Sequence, residues 1–243
     1  MRCRRAYLTI KYLSFIVVCL SAYIPNIALC YDGLKATGCY SNLYYNDEGG
    51  DLLGYEFCIV NSNKGHHVLY QESSGWPDVP LLLPVIIENN KISFTVSLDD
   101  KFPGKFNGMI TNHRLKGKFS NSEEYITLKR KSSYWIRNNK YLTVEGCYSN
   151  MHYVNGRGII GYEFFIVLGK DNSYILYQES SGEPAMPLLL PIIKKDYSIS
   201  FTLPQGDSHH GQFNGTITAN GLTGNFSSND EQIVLKRKYS YWQ

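Results

Sequence analysis

Two glutamates that recur at equivalent positions are the residues best suited to acid–base chemistry. Glu56 and Glu72 in the first half of the chain correspond to Glu163 and Glu179 in the second. If the strands that carry the first pair form a hairpin, we expect Glu56 to lie nearly opposite Gln71 or Glu72. Two carboxyls so placed can act as acid and base on a glycosidic bond when the pKa of one is raised. The alternative is that they are ordinary strand residues that face solvent.

No other group of reactive side chains forms a motif typical of catalysis or metal binding. The histidines do not repeat, and most occur as the adjacent pairs His66-His67 and His209-His210. Neighbouring residues of a strand point to opposite faces, so neither pair suits one metal ion. The Gly-x-Ser-x-Gly sequence of many hydrolases is absent, and so is a glycine-rich loop that could hold a phosphate. The sequence therefore predicts no metal site and no cofactor.

The best candidates for a binding surface are two loops that follow an identical heptapeptide. LYQESSG occupies residues 69–75 and 176–182, but the next four residues are WPDV in one copy and EPAM in the other. Related binding loops typically have conserved flanking residues and a tip that differs in sequence. A surface loop that has diverged without any functional role shows the same pattern. The predicted binding residues are Tyr70, Gln71, Glu72 and Trp76, with Tyr177, Gln178, Glu179 and Glu183 in the second copy.

Tyrosine is unusually frequent, with 20 residues in the chain. One explanation is packing at the mouths of barrels, where the ring is half-buried and the hydroxyl stays in water. The other is a binding face, because tyrosine and tryptophan provide rigid contact area for a protein or a stacked sugar. The tyrosines that recur are Tyr40, Tyr45, Tyr55, Tyr70 and Tyr134, with Tyr148, Tyr153, Tyr162, Tyr177 and Tyr241 as their counterparts.

All these residues belong to a unit that occurs twice. The sequences GCYSN, GYEF, LYQESSG, PLLLP, ISFT, FNG, LKRK and SYW follow in the same order and at nearly the same spacing in both halves. A unit of about 105 residues has the size of a domain and is too long for a solenoid repeat. We therefore expect a first domain at residues 34–135, a linker at 136–141 and a second domain of the same fold at 142–243.

Short segments of alternating apolar and polar residues, separated by turn residues, predict β-strands and no helix in each unit. About eight strands joined by hairpin-length turns favour antiparallel pairing of sequence neighbours. A closed up-and-down β-barrel leaves no exposed edge, so two tandem barrels are the predicted fold, with a β-sandwich as the alternative. Pro84 interrupts an apolar segment and predicts an edge strand or an extended segment there.

The opening, the central hairpin and the closing strand of each unit share a pattern. The first unit opens with Gly38-Cys39-Tyr40 and closes on an aromatic and basic strand. Its central hairpin runs from Phe106-Asn107-Gly108 to LKGKF at residues 115–119. This pattern resembles the calycin-type barrels, which include lipocalins and avidins, and the hairpin resembles avidins in particular. Gly38-Cys39-Tyr40 stands where lipocalins have Gly-x-Trp. The resemblance implies a small antiparallel β-barrel.

Residues 1–30 have the composition of a secretory signal peptide. A basic start precedes a mostly apolar segment, and Ala28-Leu29-Cys30 places small residues at the −3 and −1 positions of a cleavage site. An uncleaved membrane anchor is the alternative, although Pro25 and Asn26 interrupt the apolar segment. We therefore expect a secreted or periplasmic protein whose only contact with a membrane is the signal segment.

The charge of the chain argues against a nucleic-acid partner. The net charge is +3, but the leader holds four of the 24 basic residues, which leaves 20 basic against 21 acidic side chains. This balance produces no overall positive field that attracts nucleic acid or anionic lipid. The locally basic LKRK sequences at residues 128–131 and 235–238 are interpreted as solvated strand ends.

Three of the six cysteines lie beyond the leader, namely Cys39, Cys58 and Cys147. An odd number in an exported protein leaves one of them unpaired or bonded to another chain. Cys39 can pair with Cys58 within the first domain if the two lie on neighbouring strands, or with Cys147 across the domains. All three can also be small buried apolar residues without a disulfide.

Taken together, the sequence favours an exported, non-enzymatic binding module that contacts another exported protein, with inhibition of an enzyme as one such role. Two copies of one domain raise avidity when both engage the partner. A carrier that holds a small apolar ligand inside the barrel is the first alternative. A carbohydrate-active enzyme that uses the paired glutamates on a glycan is the second.

Overall fold

The computed structural model describes residues 34–97, 103–136, 142–204, 211–228 and 231–243. The predicted signal peptide at residues 1–30 and positions 137–141 of the predicted linker lie outside the described residues.

Alternating apolar residues form nine strands in each half of the described chain. The first half contains β1 (Gly38–Ser41), β2 (Tyr44–Asn46), β3 (Asp51–Ser62), β4 (Gly65–Gly75), β5 (Leu81–Glu88), β6 (Lys91–Ser97), β7 (Pro103–Ile110), β8 (Arg114–Phe119) and β9 (Ile126–Arg130). The second half contains β10 (Gly146–Ser149), β11 (His152–Val154), β12 (Gly158–Leu168), β13 (Ser173–Gly182), β14 (Leu188–Lys195), β15 (Ser198–Thr202), β16 (Gln212–Thr218), β17 (Gly221–Phe226) and β18 (Ile233–Arg237). The described residues contain no helix, as the sequence predicted.

Each set of strands closes into an eight-stranded antiparallel barrel. Sequence neighbours pair from β2 to β9, and β1 pairs with β9 on one side and with β3 on the other. β1 and β2 lie end to end along β3, so together they count as one strand of the barrel. The strands β10 to β18 are connected in the same way. The predicted pair of tandem β-barrels is therefore confirmed, and the β-sandwich alternative is wrong.

Aromatic rings fill the inside of each barrel. The five rings of the first barrel are at most 4% exposed, and their centroids lie 5.0–6.3 Å apart. They belong to Phe57, Tyr70, Phe94, Phe106 and Phe119, and their counterparts are Phe164, Tyr177, Phe201, Phe213 and Phe226. Because successive strand residues point to opposite faces, each of these rings occupies an inward position of its strand. The axis of each barrel is therefore occupied by side chains.

Pro84 does not mark an edge strand. β5 pairs with β4 over residues 81–85 and with β6 over residues 86–88. Pro84 therefore lies where only β4 is its neighbour, and its missing N–H interrupts no second ladder. Of the two sequence-based alternatives the edge strand is wrong, because a closed barrel has no edge.

An arginine in the last strand of each barrel holds the segment that leads into the first strand. The Arg130 guanidinium donates to the carbonyls of Lys35 and Thr37 and to the Tyr40 hydroxyl. It also lies over the Tyr40 ring, 5.4 Å from the centroid. Arg237 makes the equivalent contacts in the second barrel. The interpretation of LKRK as a solvated strand end is therefore wrong for its arginine.

A second apolar layer joins the two barrels. The outer faces of β3 and β4 pack against the outer faces of β12 and β13, so these strands are apolar on both faces. The main residues of this layer are Cys58, Val60, Leu69 and Trp135 from the first barrel and Phe165, Val167, Leu176 and Trp242 from the second.

The cysteines lie in or beside the same layer. Cys39 and Cys58 are cross-strand partners on β1 and β3 and form a disulfide, while Cys147 is free and buried opposite Phe165. The structure thus contains the first of the three arrangements that the sequence left open. A disulfide is typical of an oxidising compartment. None of the described residues forms a helix of the length and hydrophobicity that a membrane span requires.

Candidate functional site

The structure does not bring Glu56 and Glu72 together. In the pairing of β3 with β4, Glu56 lies opposite Gln71 and Glu72 lies opposite Tyr55. Inward and outward side chains alternate along each strand, so Glu56 faces the neighbouring barrel while Glu72 faces the inside of its own. The second repeat has the same register. Neither repeat therefore places its two glutamates as an acid–base pair.

Glu56 is a buried carboxyl that anchors the chain after the last strand. It is 3% exposed, and it accepts hydrogen bonds from the Ser133 hydroxyl at 2.5 Å and from the Tyr134 backbone N–H at 2.8 Å. Burial raises its pKa to about 7, although the hydrogen bond from Ser133 acts in the opposite direction. Glu163 makes the equivalent contacts, and burial raises its pKa too. Both carboxyls thus hold the SYW segment of their repeat against the outer face of the barrel.

Glu72 binds tyrosine hydroxyls of its own barrel. Tyr70 donates to it at 2.7 Å and Tyr55 at 3.2 Å. Burial raises the pKa of both tyrosines, that of Tyr55 to about 12, and the Glu72 carboxylate adds to the effect. In the second barrel Tyr177 donates to Glu179 at 2.9 Å. Four of the predicted binding residues are therefore engaged inside their barrels.

Gln71 and Gln178, the glutamines of the repeated heptapeptide, connect the two barrels. Gln71 is 2% exposed, and its amide donates to the carbonyl of Leu168 in the second barrel at 2.6 Å and to that of Asp78 at 3.0 Å. Its carbonyl oxygen accepts the indole N–H of Trp135 at 2.8 Å. Gln178 makes the reciprocal set of contacts with the first barrel. These two predicted binding residues thus hold the barrels together.

The loop after the first heptapeptide is fixed on both sides of its tip. Ser73 and Pro77 form an isolated β-bridge, and the Asp78 N–H donates to the Glu72 carbonyl at 2.9 Å. The Trp76 side chain between them is 73% exposed, more than any other large apolar residue in the described part of the chain. The Trp76 side chain is therefore exposed to solvent on a loop whose backbone is fixed by hydrogen bonds on both sides of the tip.

A cleft of about 330 Å³ opens beside Trp76 where the two barrels meet. Tyr45 is 51% exposed at its rim, whereas Trp135 is buried in its wall. Its side-chain lining comprises Tyr45, Leu52, Trp76, Pro77, Tyr134 and Trp135 from the first barrel and Thr143, Glu145 and Leu168 from the second. Four aromatic residues thus border a space at the lower end of the usual range for ligand pockets. In the second loop, exposed Glu183 takes the place of Trp76.

Two other depressions, of about 690 and 530 Å³, lie on the outer faces of the barrels. Strands β14 to β17 form the larger one and β5 to β8 the smaller one. Both are open grooves on a single barrel, and although Tyr125 borders the smaller one, neither combines aromatic rings with residues of both barrels.

The buried thiol of Cys147 is not poised for nucleophilic chemistry. Burial raises its pKa well above the usual value, and the Glu163 carboxylate, to which it is hydrogen-bonded, adds to the effect. A nucleophilic cysteine needs the opposite environment. Among the described residues, no three histidine, cysteine or acidic side chains are grouped so that they could hold a metal ion.

The sequence identified Trp76 but not the rest of the cleft. Tyr45 and Tyr134 were noted only as members of the repeated tyrosine set, and Glu145 was not singled out. The difference between the repeats could have drawn attention to Glu145, which corresponds to Thr37, as it does to Trp76, which corresponds to Glu183. It could not have found Tyr45 and Tyr134, because both recur as tyrosines in the second repeat.

The chain matches no protein-family model, and none of the curated proteins is significantly similar to it in sequence.

Proposed function

We propose that the protein is an exported, non-enzymatic binding module that contacts another protein through the Trp76 loop and the adjacent cleft. The observation that carries this proposal is the 73% exposure of Trp76 on a loop whose backbone is fixed on both sides. Tryptophan is among the residues most enriched at the centres of protein interfaces. A loop that is already rigid loses little conformational entropy on binding. Such a loop suits an inhibitor that inserts one side chain into an enzyme.

Export is supported by two independent features. The disulfide between Cys39 and Cys58 belongs in an oxidising compartment such as the periplasm or the extracellular space. Residues 1–30 have the composition of a signal peptide. The proposed location of the protein and of its partner is therefore secreted or periplasmic.

The two alternative functions have less support. A carrier needs space inside a barrel, and five close-packed aromatic rings occupy the interior of each one. A glycosidase needs two carboxyls on one face, and Glu56 and Glu72 lie on opposite faces of the sheet.

The experiment that tests the proposal compares Trp76→Ala with the wild type in partner capture. The immobilised protein is exposed to extracellular or periplasmic extract, retained proteins are identified by mass spectrometry, and the affinity of each purified candidate is measured. Truncating a hot-spot tryptophan costs about 2 kcal/mol or more, so we expect a loss of affinity of roughly thirtyfold. The melting temperature should change little, because Trp76 packs against little of the protein.

The matched control is Tyr153→Ala, which removes a 64% exposed aromatic residue at the position equivalent to Tyr45. Its affinity for the partner should equal that of the wild type. A partner that binds the Trp76→Ala protein as tightly as the wild type would refute the proposed contact surface.

A further inference from the structure

The outer face of strands β6 to β9 in the first barrel is rich in basic side chains. These strands contain no aspartate or glutamate, and six of their lysine and arginine residues alternate with buried residues, so their side chains point away from the barrel core. All six are exposed except Lys118, which is partly buried. This surface, called the basic face below, consists of Lys91, Lys105, Arg114, Lys116, Lys118 and Lys129.

Acidic residues at the margins balance only part of this charge. They are Glu88, Glu123 and Glu124. Glu123 forms an exposed ion pair with Lys118 at 2.9 Å, and Glu88 lies opposite Lys91 in the strand register. Six cations against three anions leave three positive charges in excess. Residues 98–102, outside the described part of the chain, contain two acidic residues and one basic residue, so a positive excess remains when they are counted.

The cations are spread along and across the strands. On β8, Arg114, Lys116 and Lys118 occupy alternate positions, so successive Cα atoms lie roughly 6.8 Å apart. Arg114 also has Lys129 as its cross-strand partner on β9, and β6 lies three strand spacings, roughly 14 Å, from β9. A small anion cannot contact all these groups at once. The arrangement instead suits a ligand that carries several negative charges along its length.

The groove of about 530 Å³ lies on the basic face. Lys91 and Lys116 line it, together with Ser93 and Asn107, whose hydroxyl and amide groups can bond to the hydroxyls of a sugar. Tyr125 borders it with a side chain that is 65% exposed, and the Lys116 ammonium lies 5.2 Å from the centroid of this ring. The groove therefore combines positive charge, neutral hydrogen-bonding groups and one aromatic surface.

We propose that the basic face of the first barrel binds an acidic polysaccharide, which lies in this groove and pairs its carboxylate or sulfate groups with the surrounding cations. A cleft lined by charges of one sign concentrates ligands of the opposite sign. The flat surface of a bilayer cannot enter a depression of this kind, whereas a linear chain can. A single-stranded nucleic acid needs several aromatic rings on which to stack its bases, and Tyr125 is the only aromatic residue that lines the groove.

The second barrel has an equivalent groove without the charge. A depression of about 690 Å³ lies over its strands β14 to β17. Uncharged residues replace five of the six cations, and Gln232 replaces Tyr125. The five replacements are Ser198, Gln212, Gly221, Thr223 and Asn225. Because the groove recurs and its charge does not, the second barrel is an internal control for the proposed site.

Isothermal titration calorimetry of the protein with a short dextran sulfate oligosaccharide tests the inference. Uncharged dextran of the same length is the control ligand. We expect one oligosaccharide to bind per protein molecule, with an affinity that falls as salt is added, and no detectable binding of dextran. The Trp76→Ala protein should bind dextran sulfate as tightly as the wild type, because Trp76 lines a different cleft. The result is therefore independent of the proposed protein contact.

Two triple variants with the same change in net charge locate the site. One replaces three cations of the basic face by glutamine, and its control replaces three exposed lysines elsewhere. The substitutions are Arg114→Gln, Lys116→Gln and Lys129→Gln in the first variant, and Lys64→Gln, Lys170→Gln and Lys195→Gln in the control. We expect the first to lower the affinity roughly tenfold, because three exposed ion pairs are lost, and the control to retain the wild-type affinity.

Four outcomes would overturn the assignment. Equal losses in the two triple variants would show that net charge, not this face, attracts the polymer. Two oligosaccharides per protein molecule would show that the cations of the first barrel do not select the site. Tighter binding of single-stranded DNA or of phosphatidylglycerol vesicles at the same ionic strength would assign the face to another class of anion. No binding of dextran sulfate at millimolar concentration would exclude a polysaccharide site.

Discussion

Replacing Gln71 by leucine tests the contribution of the buried amide contacts at the junction of the two barrels, one of which crosses to the second barrel. The Gln71 amide is the donor in two hydrogen bonds and the acceptor in a third, and it lies 2% exposed between the barrels. Leucine has a similar volume but no polar atoms. The substitution therefore removes partners from the indole N–H of Trp135 and from the carbonyls of Leu168 and Asp78 without leaving a large cavity.

The size of the effect follows from these three contacts. A hydrogen bond contributes about 1 kcal/mol net, and more when a buried group is left without a partner. We therefore expect Gln71→Leu to lower the free energy of unfolding by roughly 3 kcal/mol. For a cooperative unit of about 200 residues, each kcal/mol corresponds to about 2–4 °C in melting temperature. The expected decrease is about 6–12 °C.

Differential scanning calorimetry measures this decrease directly. The control is Gln232→Leu, because Gln232 is exposed and its replacement should shift the melting temperature by no more than about 1–2 °C. Gln178→Leu should behave like Gln71→Leu, since its contacts are reciprocal. A decrease below about 2 °C for Gln71→Leu would show that the three amide contacts contribute far less than this estimate, and the argument would then be wrong.

Two further predictions concern the buried carboxyl and the close strand contact. The folded-state pKa of Glu56 is about 7, above the ordinary value of 4.5, so the folded protein holds a proton that the unfolded chain releases between these values. Stability should therefore fall as pH rises through this range, and thermal denaturation should show a smaller fall for Glu56→Gln; equal pH profiles would contradict the assignment. A Cβ on Gly117 would lie 2.4 Å from the Asn107 carbonyl oxygen, so Gly117→Ala should cost about 1–3 kcal/mol in urea denaturation, whereas exposed Thr127→Ala should cost little.

The barrel fold could be predicted because each of its determinants is local. Alternation within strands, turn residues between them and short connections all point to antiparallel neighbours, and the duplication repeats the pattern. Gly117 lies where a Cβ would meet the backbone of the neighbouring strand β7, and glycine permits this close approach. The edge-strand prediction from Pro84 was wrong because proline is excluded from a strand only where that strand pairs on both sides. β5 pairs with β4 up to residue 85 and with β6 only from residue 86, so Pro84 has a single partner strand.

The functional residues were harder to predict because one position of strand register decides which face a side chain occupies. Glu56 was expected nearly opposite Gln71 or Glu72, and its partner is Gln71; this single position of register places the Glu56 carboxyl at the junction instead of in the barrel interior with Glu72. The sequence also could not show that the outer face of β3 and β4 is buried. From the sequence alone, an apolar residue such as Val60 can be assigned either to the interior of its own barrel or to an outer face that packs against another barrel. The structure places it in the layer between the barrels.

Comparison of the repeats separates structural residues from the candidate site. Residues that are identical in both copies, such as Gln71 and Gln178, make reciprocal contacts and hold the barrels in a nearly symmetric pair. Symmetry alone would give two equal rims, yet two residues that line the cleft, Trp76 and Glu145, correspond to Glu183 and Thr37 in the other repeat. A substitution at either position leaves the reciprocal contacts intact, so these positions could change without disturbing the pair. The asymmetry of the rims is therefore the feature of this chain that most directly supports the proposal of a single protein-binding site on a duplicated scaffold.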